Sequence, residues 1–401
     1  MAALRPFRGL RYTPTAGALE SLVSPATRGL TPHGRDEYAH RGPLNVVGIA
    51  SPEGHGDDRS KYIRYARAAA RLAEWRREGY LAAQEHPSFY RLSQTVGQTA
   101  SGDPLVQTTL FALADLQGLA NVEAVDPKAR EEHLRLLEAT RTTFEPAVVY
   151  FEDPSGTALN SIRSAPVSSE TAAGSIVLET IDDPDAIQII GAAFRERPLL
   201  VAEGAESVEA ARAFRESLGS RTGHVPEDDT LVALTSLHDP GTGRTPLHRL
   251  IRRLPNGMTR EDLLAQLASR FSVEPHHNRN LPLLVDGSES PAFGLATEGG
   301  LGYLLRPLQA IDAPAATWLH REIFDGLLGV APGDHIAYSG DAAHAVRVAD
   351  EGTAAVFLLP RPQPSDITEA HRLGLSLPYR SSAAHPGVPT GLVMWAMGDD
   401  V

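Results

Sequence analysis

The stretch LLVAEGAESVEAARAFRESLG, residues 199–219, decides how the middle of this chain folds. Its apolar start predicts a buried strand, Glu203 and Gly204 predict a tight turn, and the following apolar spacing predicts a helix. A strand that turns at glycine into a helix is a common phosphate-binding corner, because the helix N-terminus points backbone N–H groups at the anion. The turn and first helical turns here hold only acidic charges, at Glu203, Glu206 and Glu209. The stretch therefore combines the shape of a phosphate corner with a charge that repels phosphate.

Composition excludes several classes of site. The chain has 401 residues and no cysteine, which excludes disulfides, thiolate metal centres and a cysteine nucleophile. Lys61 and Lys128 are its only lysines, and neither follows a glycine, so the sequence contains no P-loop. A Schiff-base lysine is not expected either.

The net charge of −13 argues against a nucleic-acid partner, which would require a strong basic surface. The longest apolar runs are only as long as a strand, so we expect no membrane partner. The N-terminal sequence MAALRPFRGLRY lacks the apolar core of a signal peptide. We therefore expect a cytoplasmic protein, and the sequence leaves its oligomeric state open.

Strands and helices alternate along the chain without strict βαβ periodicity, which predicts a mixed α/β fold. Residues 59–81 have the apolar spacing of an amphipathic helix, and residues 87–96 and 104–116 form a predicted hairpin. We predict three regions: an N-terminal α/β region, a core that contains the corner, and a C-terminal α/β region. Their bounds are 1–165, 166–258 and 259–401.

Three polar loops have structural explanations. Residues 297–305 contain a Gly-x-Gly pattern, but a strand rather than a helix follows it, which favours a hairpin turn over a dinucleotide loop. Residues 53–60 contain possible metal ligands, but Asp57 or Asp58 would equally cap the next helix, and we favour the cap. The histidine pair within 274–280 lacks further ligands at a metal-binding spacing.

The segment TPLHRLIRR, residues 245–253, leaves two alternatives open. As a strand it directs His248 and Arg249 to opposite faces. One interpretation is a functional groove lined by these two residues. The other is an edge strand protected by basic residues.

The order of several sequence blocks resembles the domain of unknown function 1015 family over nearly the whole chain. These blocks are PFRGLRYTP (6–14), GPLNVVGI (42–49), EWRREGYL (74–81), LRLLEATRTTFEPAVVYFED (134–153), TPLHRLIRRLP (245–255) and LPYRSSAAHPGVPTGLV (377–393). In typical members the corner reads Asp-Gly-His-His-Arg-Tyr-Glu, which resembles the Asp-Gly-His-x-Arg turn of ParB/sulfiredoxin-like proteins. The resemblance implies a ParB/sulfiredoxin-like core with an additional C-terminal α/β region. It also implies nucleotide chemistry, since that group includes enzymes that phosphorylate free serine.

This chain departs from the family pattern at its polar positions. The family Asp-Gly falls on Glu203 and Gly204, but His-His-Arg falls on residues 205–207, which read Ala-Glu-Ser. Pro-Pro-Tyr-Asp falls on residues 25–28, which read Pro-Ala-Thr-Arg. His-Glu falls on Val-Glu at residues 122–123. Pro-x-Lys-Ser-Thr becomes Pro-Tyr-Arg-Ser-Ser, and the aromatic residues that follow become two alanines.

Electrostatics favour a catalytically degenerate member of the family. Two like charges about 4 Å apart repel by up to ~4 kcal/mol at an effective dielectric constant near 20, so Glu206 would oppose a phosphate. Exposed carboxylates instead stabilise the helix start by ~0.3–1 kcal/mol each. We therefore expect a scaffold that binds a small ligand or a protein partner and needs no cofactor.

The alternative is a magnesium-dependent phosphotransferase that uses ATP or ADP and acts on free serine or a similar small hydroxyl compound. In this alternative Glu203 holds the metal, and Arg side chains bind phosphates through paired N–H groups. The implied catalytic residues are Glu203, Glu123 and His248, and the implied cofactor-binding residues are Gly204, Arg249, Arg11 and Arg380.

Overall fold

The computed structural model describes residues 3–99, 101–220, 222–330 and 336–399. Its helices are α1 (Leu19–Leu22), α2 (Pro32–Ala39), α3 (Val47–Ala50), α4 (Ile63–Arg77), α5 (Pro127–Thr140), α6 (Thr157–Arg163), α7 (Pro184–Phe194), α8 (Ala205–Ser217), α9 (Arg260–Leu267), α10 (Leu281–Asp286), α11 (Ala315–Leu319), α12 (Ala342–Asp350) and α13 (Pro364–Leu373). A π-helical segment, His320–Leu328, continues α11.

The strands begin with β1 (Leu4–Arg5), β2 (Leu10–Tyr12), β3 (Leu81–Ala83), β4 (Phe89–Gln98), β5 (Pro104–Asp115), β6 (Leu119–Asn121), β7 (Thr142–Thr143), β8 (Ala147–Phe151), β9 (Ser169–Ala173), β10 (Ile176–Ile181), β11 (Leu199–Glu203) and β12 (Asp229–Ser236). They continue with β13 (Gly243–Pro246), β14 (His248–Ile251), β15 (Phe271–His277), β16 (Phe293–Ala296), β17 (Leu301–Pro307), β18 (Ile336–Ser339), β19 (Ala355–Leu358), β20 (Ser382–His385) and β21 (Trp395–Ala396).

Backbone contacts divide the chain into two compact units. The first unit comprises residues 1–121, 125–243 and 386–401, and the second comprises residues 122–124 and 244–385. The three regions expected from the sequence remain a prediction about how the chain folds.

The first unit contains a large mixed sheet in the order β6-β11-β8-β12-β5-β4-β10-β9, with β1 paired to β5. Strand β11 runs parallel to β6, β12 runs parallel to β8, and the remaining pairs are antiparallel. The predicted hairpin is confirmed as β4 and β5, and the predicted amphipathic helix is confirmed as α4. The mixed α/β class is therefore correct.

The second unit contains an antiparallel sheet in the order β15-β17-β16-β19-β14-β18. The hairpin predicted for residues 297–305 is confirmed, because β16 and β17 pair across the turn at Glu298–Gly300. Strand β14 lies between β19 and β18 with all four of its residues buried. The edge-strand interpretation of residues 245–253 is therefore wrong.

None of the helices within the described residues is long and apolar enough to cross a membrane.

Candidate functional site

The strand–turn–helix corner forms as the sequence predicts. Strand β11 is buried along four of its five residues and ends at Glu203, and α8 begins at Ala205. Gly204 between them adopts a left-handed conformation with φ of 82°. A Cβ atom at this position would lie 3.1 Å from Nη1 of Arg28 and 3.2 Å from Cα of Ala147. Glycine is required here by its backbone conformation and by the close approach of two neighbours.

Arg28 supplies the charge that balances this corner. Its guanidinium forms an ion pair with Glu203, and its Nη1 lies 3.6 Å from Oε1 of Glu145. Only 20% of the Arg28 side chain and 11% of each carboxylate side chain are exposed. We call Arg28, Glu145 and Glu203 the Arg28 cluster.

The second oxygen of Glu145 is bound on the other side of the cluster. Its Oε2 accepts hydrogen bonds from the backbone N of Thr27 at 2.7 Å, from Oγ1 of Thr27 at 2.6 Å and from Oγ1 of Thr390 at 2.9 Å. Glu145 is therefore fixed in position, and it holds one side of the Arg28 guanidinium beside Gly204.

The other acidic residues of the corner differ from the sequence expectation. Glu206, in the first turn of α8, is buried with 7% exposure, so it is not an exposed residue at a helix start. Glu209 pairs with Arg212 and accepts a hydrogen bond from Nδ2 of Asn121 at 2.7 Å. The expectation of exposed carboxylates was wrong because tertiary neighbours cover this face of the helix.

Two of the predicted residues, Arg249 and Arg380, lie in the second unit beside the ring of Tyr338. Arg249 is fully buried, and its Cζ lies 5.4 Å from the centre of that ring. The Cζ of Arg380 lies 5.9 Å from the same ring centre. Glu123 acts electrostatically on Arg249. The spacing of the two arginines along the chain did not predict that they would meet at one tyrosine.

Arg249 is held by neutral partners. Its Nε donates a hydrogen bond to Nε2 of His320 at 3.1 Å, and its Nη1 donates to the carbonyl oxygen of Leu247. Burial lowers the pKa of Arg249 to about 10, against the opposing effects of Tyr338 and Glu123. Burial, together with the charge of Arg249, lowers the pKa of His320 to about 3. His320 is therefore neutral at pH 7 and accepts the hydrogen bond from the guanidinium.

His248 lies on the opposite face of the same sheet, as the alternation along a strand predicts. It is 4% exposed, and its Nδ1 accepts a hydrogen bond from the backbone N of Leu359 at 3.1 Å. Burial, and then the charge of Arg249, lower the pKa of His248 to about 4. His248 is therefore a neutral imidazole at pH 7 with its proton on Nε2.

Arg11 lies in the first unit, where it bonds to neighbouring strands. Its Nη2 donates to Oγ1 of Thr171 at 2.9 Å, and its Nη1 lies 3.5 Å from Oγ1 of Thr180. Burial lowers its pKa. Glu203, Gly204 and Arg11 thus belong to the first unit, whereas the other predicted residues belong to the second. The catalytic and cofactor roles of all seven remain predictions.

The corner does not fit a magnesium ion as it is arranged. A magnesium ion requires oxygen ligands in octahedral geometry, and the Glu203 carboxylate faces the Arg28 guanidinium instead. Across the part of the chain that the structure describes, no group of three or more His, Asp or Glu side chains is placed to hold a metal.

Sequence reasoning missed the roles of Arg28, Glu145 and His320. A partial signal was present for Arg28, because this arginine stands at a position where typical family members have an acid. The sequence carries no comparable signal for His320.

Comparison with solved structures finds distant similarities. A conserved hypothetical protein from Pyrococcus furiosus is 10% identical, with a TM-score of 0.39 over 68% of this chain and 90% of that one. A free serine kinase variant in complex with ADP is 11% identical, with a TM-score of 0.40 over 72% and 91%. SbnI from Staphylococcus aureus, with a C-terminal truncation, is 11% identical, with a TM-score of 0.36 over 73% and 84%. Similarity at this level carries no functional argument.

Comparison with functionally curated proteins finds no match. A family model described as "Protein of unknown function (DUF1015)" matches residues 4–326, which is most of the chain. The protein therefore belongs to the DUF1015 family.

Proposed function

We propose that this protein is a cytoplasmic, catalytically degenerate DUF1015 member that binds a small ligand or a protein partner and needs no cofactor. A ParB/sulfiredoxin-like core is part of this proposal. The observation that carries it is the ion pair between Arg28 and Glu203 beside Gly204. That pair fills the place where the backbone of a phosphate corner would meet its anion.

The charge balance of the corner supports the proposal. The Arg28 cluster contains two carboxylates and one guanidinium, so its formal charge is negative even with the ion pair intact. A phosphate that approached Gly204 would have to draw Arg28 away from both acids. It would then separate two partly buried carboxylates from the guanidinium that pairs with them, which is unfavourable.

The alternative, a magnesium-dependent phosphotransferase acting on free serine or a similar compound with ATP or ADP, is favoured by one feature. Arg28 is a cation beside the turn, and guanidinium groups bind phosphate well. In that case the phosphates would compete with Glu145 and Glu203 for Arg28, and the magnesium ion would compete with Arg28 for Glu203.

Two measurements separate these functions. We expect no saturable heat when ADP or ATP is titrated with magnesium into the protein, and no phosphoserine by mass spectrometry after incubation with serine and ATP. Glu203→Gln serves as the test variant, and Glu78→Gln, at a surface position of the same unit, as its control. Micromolar nucleotide affinity or serine phosphorylation that Glu203→Gln abolishes and Glu78→Gln retains would overturn the proposal.

A further inference from the structure

The second unit contains a cavity of about 340 Å³ on the face of its sheet that carries His248. Pockets of this volume accommodate small molecules. Strands β13, β14 and β19 and helices α10 and α12 contribute to the wall. Its polar lining includes Arg244, His248, Asp286 and Arg361, and its apolar lining includes Val285 and Leu358.

His248 presents a hydrogen-bond donor to this cavity. Its Nδ1 already accepts from the backbone N of Leu359, so the proton of the neutral ring is on Nε2. Among the described residues, Nε2 of His248 has no hydrogen-bond partner, although the side chain is 4% exposed. This donor at the cavity wall is therefore available to an acceptor on a ligand.

The charges around the cavity favour an anion. Arg244 is 7% exposed and is held in place by its Nη2, which donates to Oγ of Ser382. Arg361 lies at the cavity 3.9 Å from Asp286, so two guanidinium groups face one carboxylate in the lining.

Two further carboxylates lie near these groups. Asp341 acts electrostatically on His248, but its Oδ1 accepts from the backbone N of Ala343 and of His344 at the start of α12. Asp366 interacts electrostatically with Arg244 and is half-buried, and burial raises its pKa. Asp341 is thus bonded to backbone N–H groups, and neither carboxylate is among the lining residues of the cavity.

We propose that this cavity binds a small organic carboxylate with a short apolar chain. The carboxylate accepts a hydrogen bond from Nε2 of His248 near the guanidinium of Arg244, and the apolar chain lies against Val285 and Leu358. This inference rests on the proposed function, because it names the ligand class of the scaffold, and it places binding away from Gly204.

Binding is tested on the full chain at pH 7 by saturation-transfer NMR with isobutyrate as the probe. Isobutyramide tests the need for a negative charge, and inorganic phosphate tests a different anion. His248→Phe removes the donor, and Ala342→Leu fills the cavity from the start of α12 without changing a polar group. Ala343→Leu, at the exposed neighbouring position, is the control for Ala342→Leu.

We expect saturable isobutyrate binding that weakens about tenfold or more in His248→Phe, since a hydrogen bond to a charged group contributes this much. Ala342→Leu should weaken binding to a similar extent because it fills the cavity, and Ala343→Leu should leave binding unchanged. Equal binding of isobutyramide, binding of phosphate alone, or no saturable binding of isobutyrate would overturn the inference. Nucleotide titration of the unchanged protein tests the proposed function separately, because its ligand is a nucleotide and its test variant is Glu203→Gln.

Discussion

Replacement of Arg28 by methionine tests whether the Arg28 cluster stabilises the first unit. At 3.6 Å and an effective dielectric constant near 20, the attraction between Arg28 and Glu145 is about 4.6 kcal/mol before desolvation. The pair with Glu203 is closer. Because 20% of the Arg28 side chain is exposed, solvent screens both ion pairs. We therefore expect Arg28→Met to lower the free energy of unfolding by about 3 kcal/mol. In a unit of this size the loss lowers the melting temperature by roughly 6–12 °C.

Thermal unfolding followed by circular dichroism measures this effect. Arg77→Met is the matched control, because Arg77 is 72% exposed and pairs with the surface acids Glu74 and Glu78, so it should change the melting temperature by about 2 °C or less. The double variant with Arg28→Met and Glu203→Gln should recover part of the loss, since it removes one of the two carboxylate charges that paired with Arg28. The reasoning would be refuted if Arg28→Met melted within about 2 °C of the unchanged protein, or if Glu203→Gln made the double variant less stable still.

Three further outcomes are expected. Gly204→Ala should lower the free energy of unfolding by about 1–3 kcal/mol, because it adds a Cβ close to Arg28 at a residue with left-handed backbone. Gly219→Ala is the control, since φ is 71° there and the added Cβ meets open space, and it should cost about 1 kcal/mol. Equal losses for the two variants in denaturant unfolding would contradict this expectation. The pKa values of His248 and His320 lie below 6.5 in the folded state, so the unfolded chain binds more protons and stability should fall as pH drops from about 6.5 toward 4. The loss of unfolding free energy should be about 2 kcal/mol per histidine by pH 5. The melting temperature should therefore decline less steeply with falling pH in a variant that lacks either imidazole ring than in the unchanged protein. His320→Phe removes the acceptor of a buried guanidinium and should cost about 1–3 kcal/mol in thermal unfolding, and an unchanged melting temperature would show that Nε of the guanidinium finds another acceptor.

Local features of the fold followed from the sequence, and long-range ones did not. The strand, turn and helix of residues 199–219 were predictable because the signals lie in adjacent residues. The opposite faces of His248 and Arg249 followed from the alternation of side chains along a strand. The central place of β14 in its sheet depends on β18 and β19, which come about a hundred residues later, and no local pattern encodes that pairing.

The candidate site shows the same division. Glu203 and Gly204 were identifiable from the corner itself. Their partner Arg28 is 175 residues away in the chain, so its role depends on a tertiary contact. The sequence showed a changed charge at Arg28 but not which carboxylate its guanidinium would pair with. In the structure, the Arg28 guanidinium lies beside the turn and partly neutralises the acidic charge that would repel a phosphate.

The most direct test of the central claim is a crystal structure of the protein soaked with ADP and magnesium. We predict that Arg28 remains paired with Glu203 and that no phosphate density appears at Gly204. Density for a diphosphate against the Gly204 backbone, with Arg28 turned away from Glu203 or bound to the phosphate, would contradict the account.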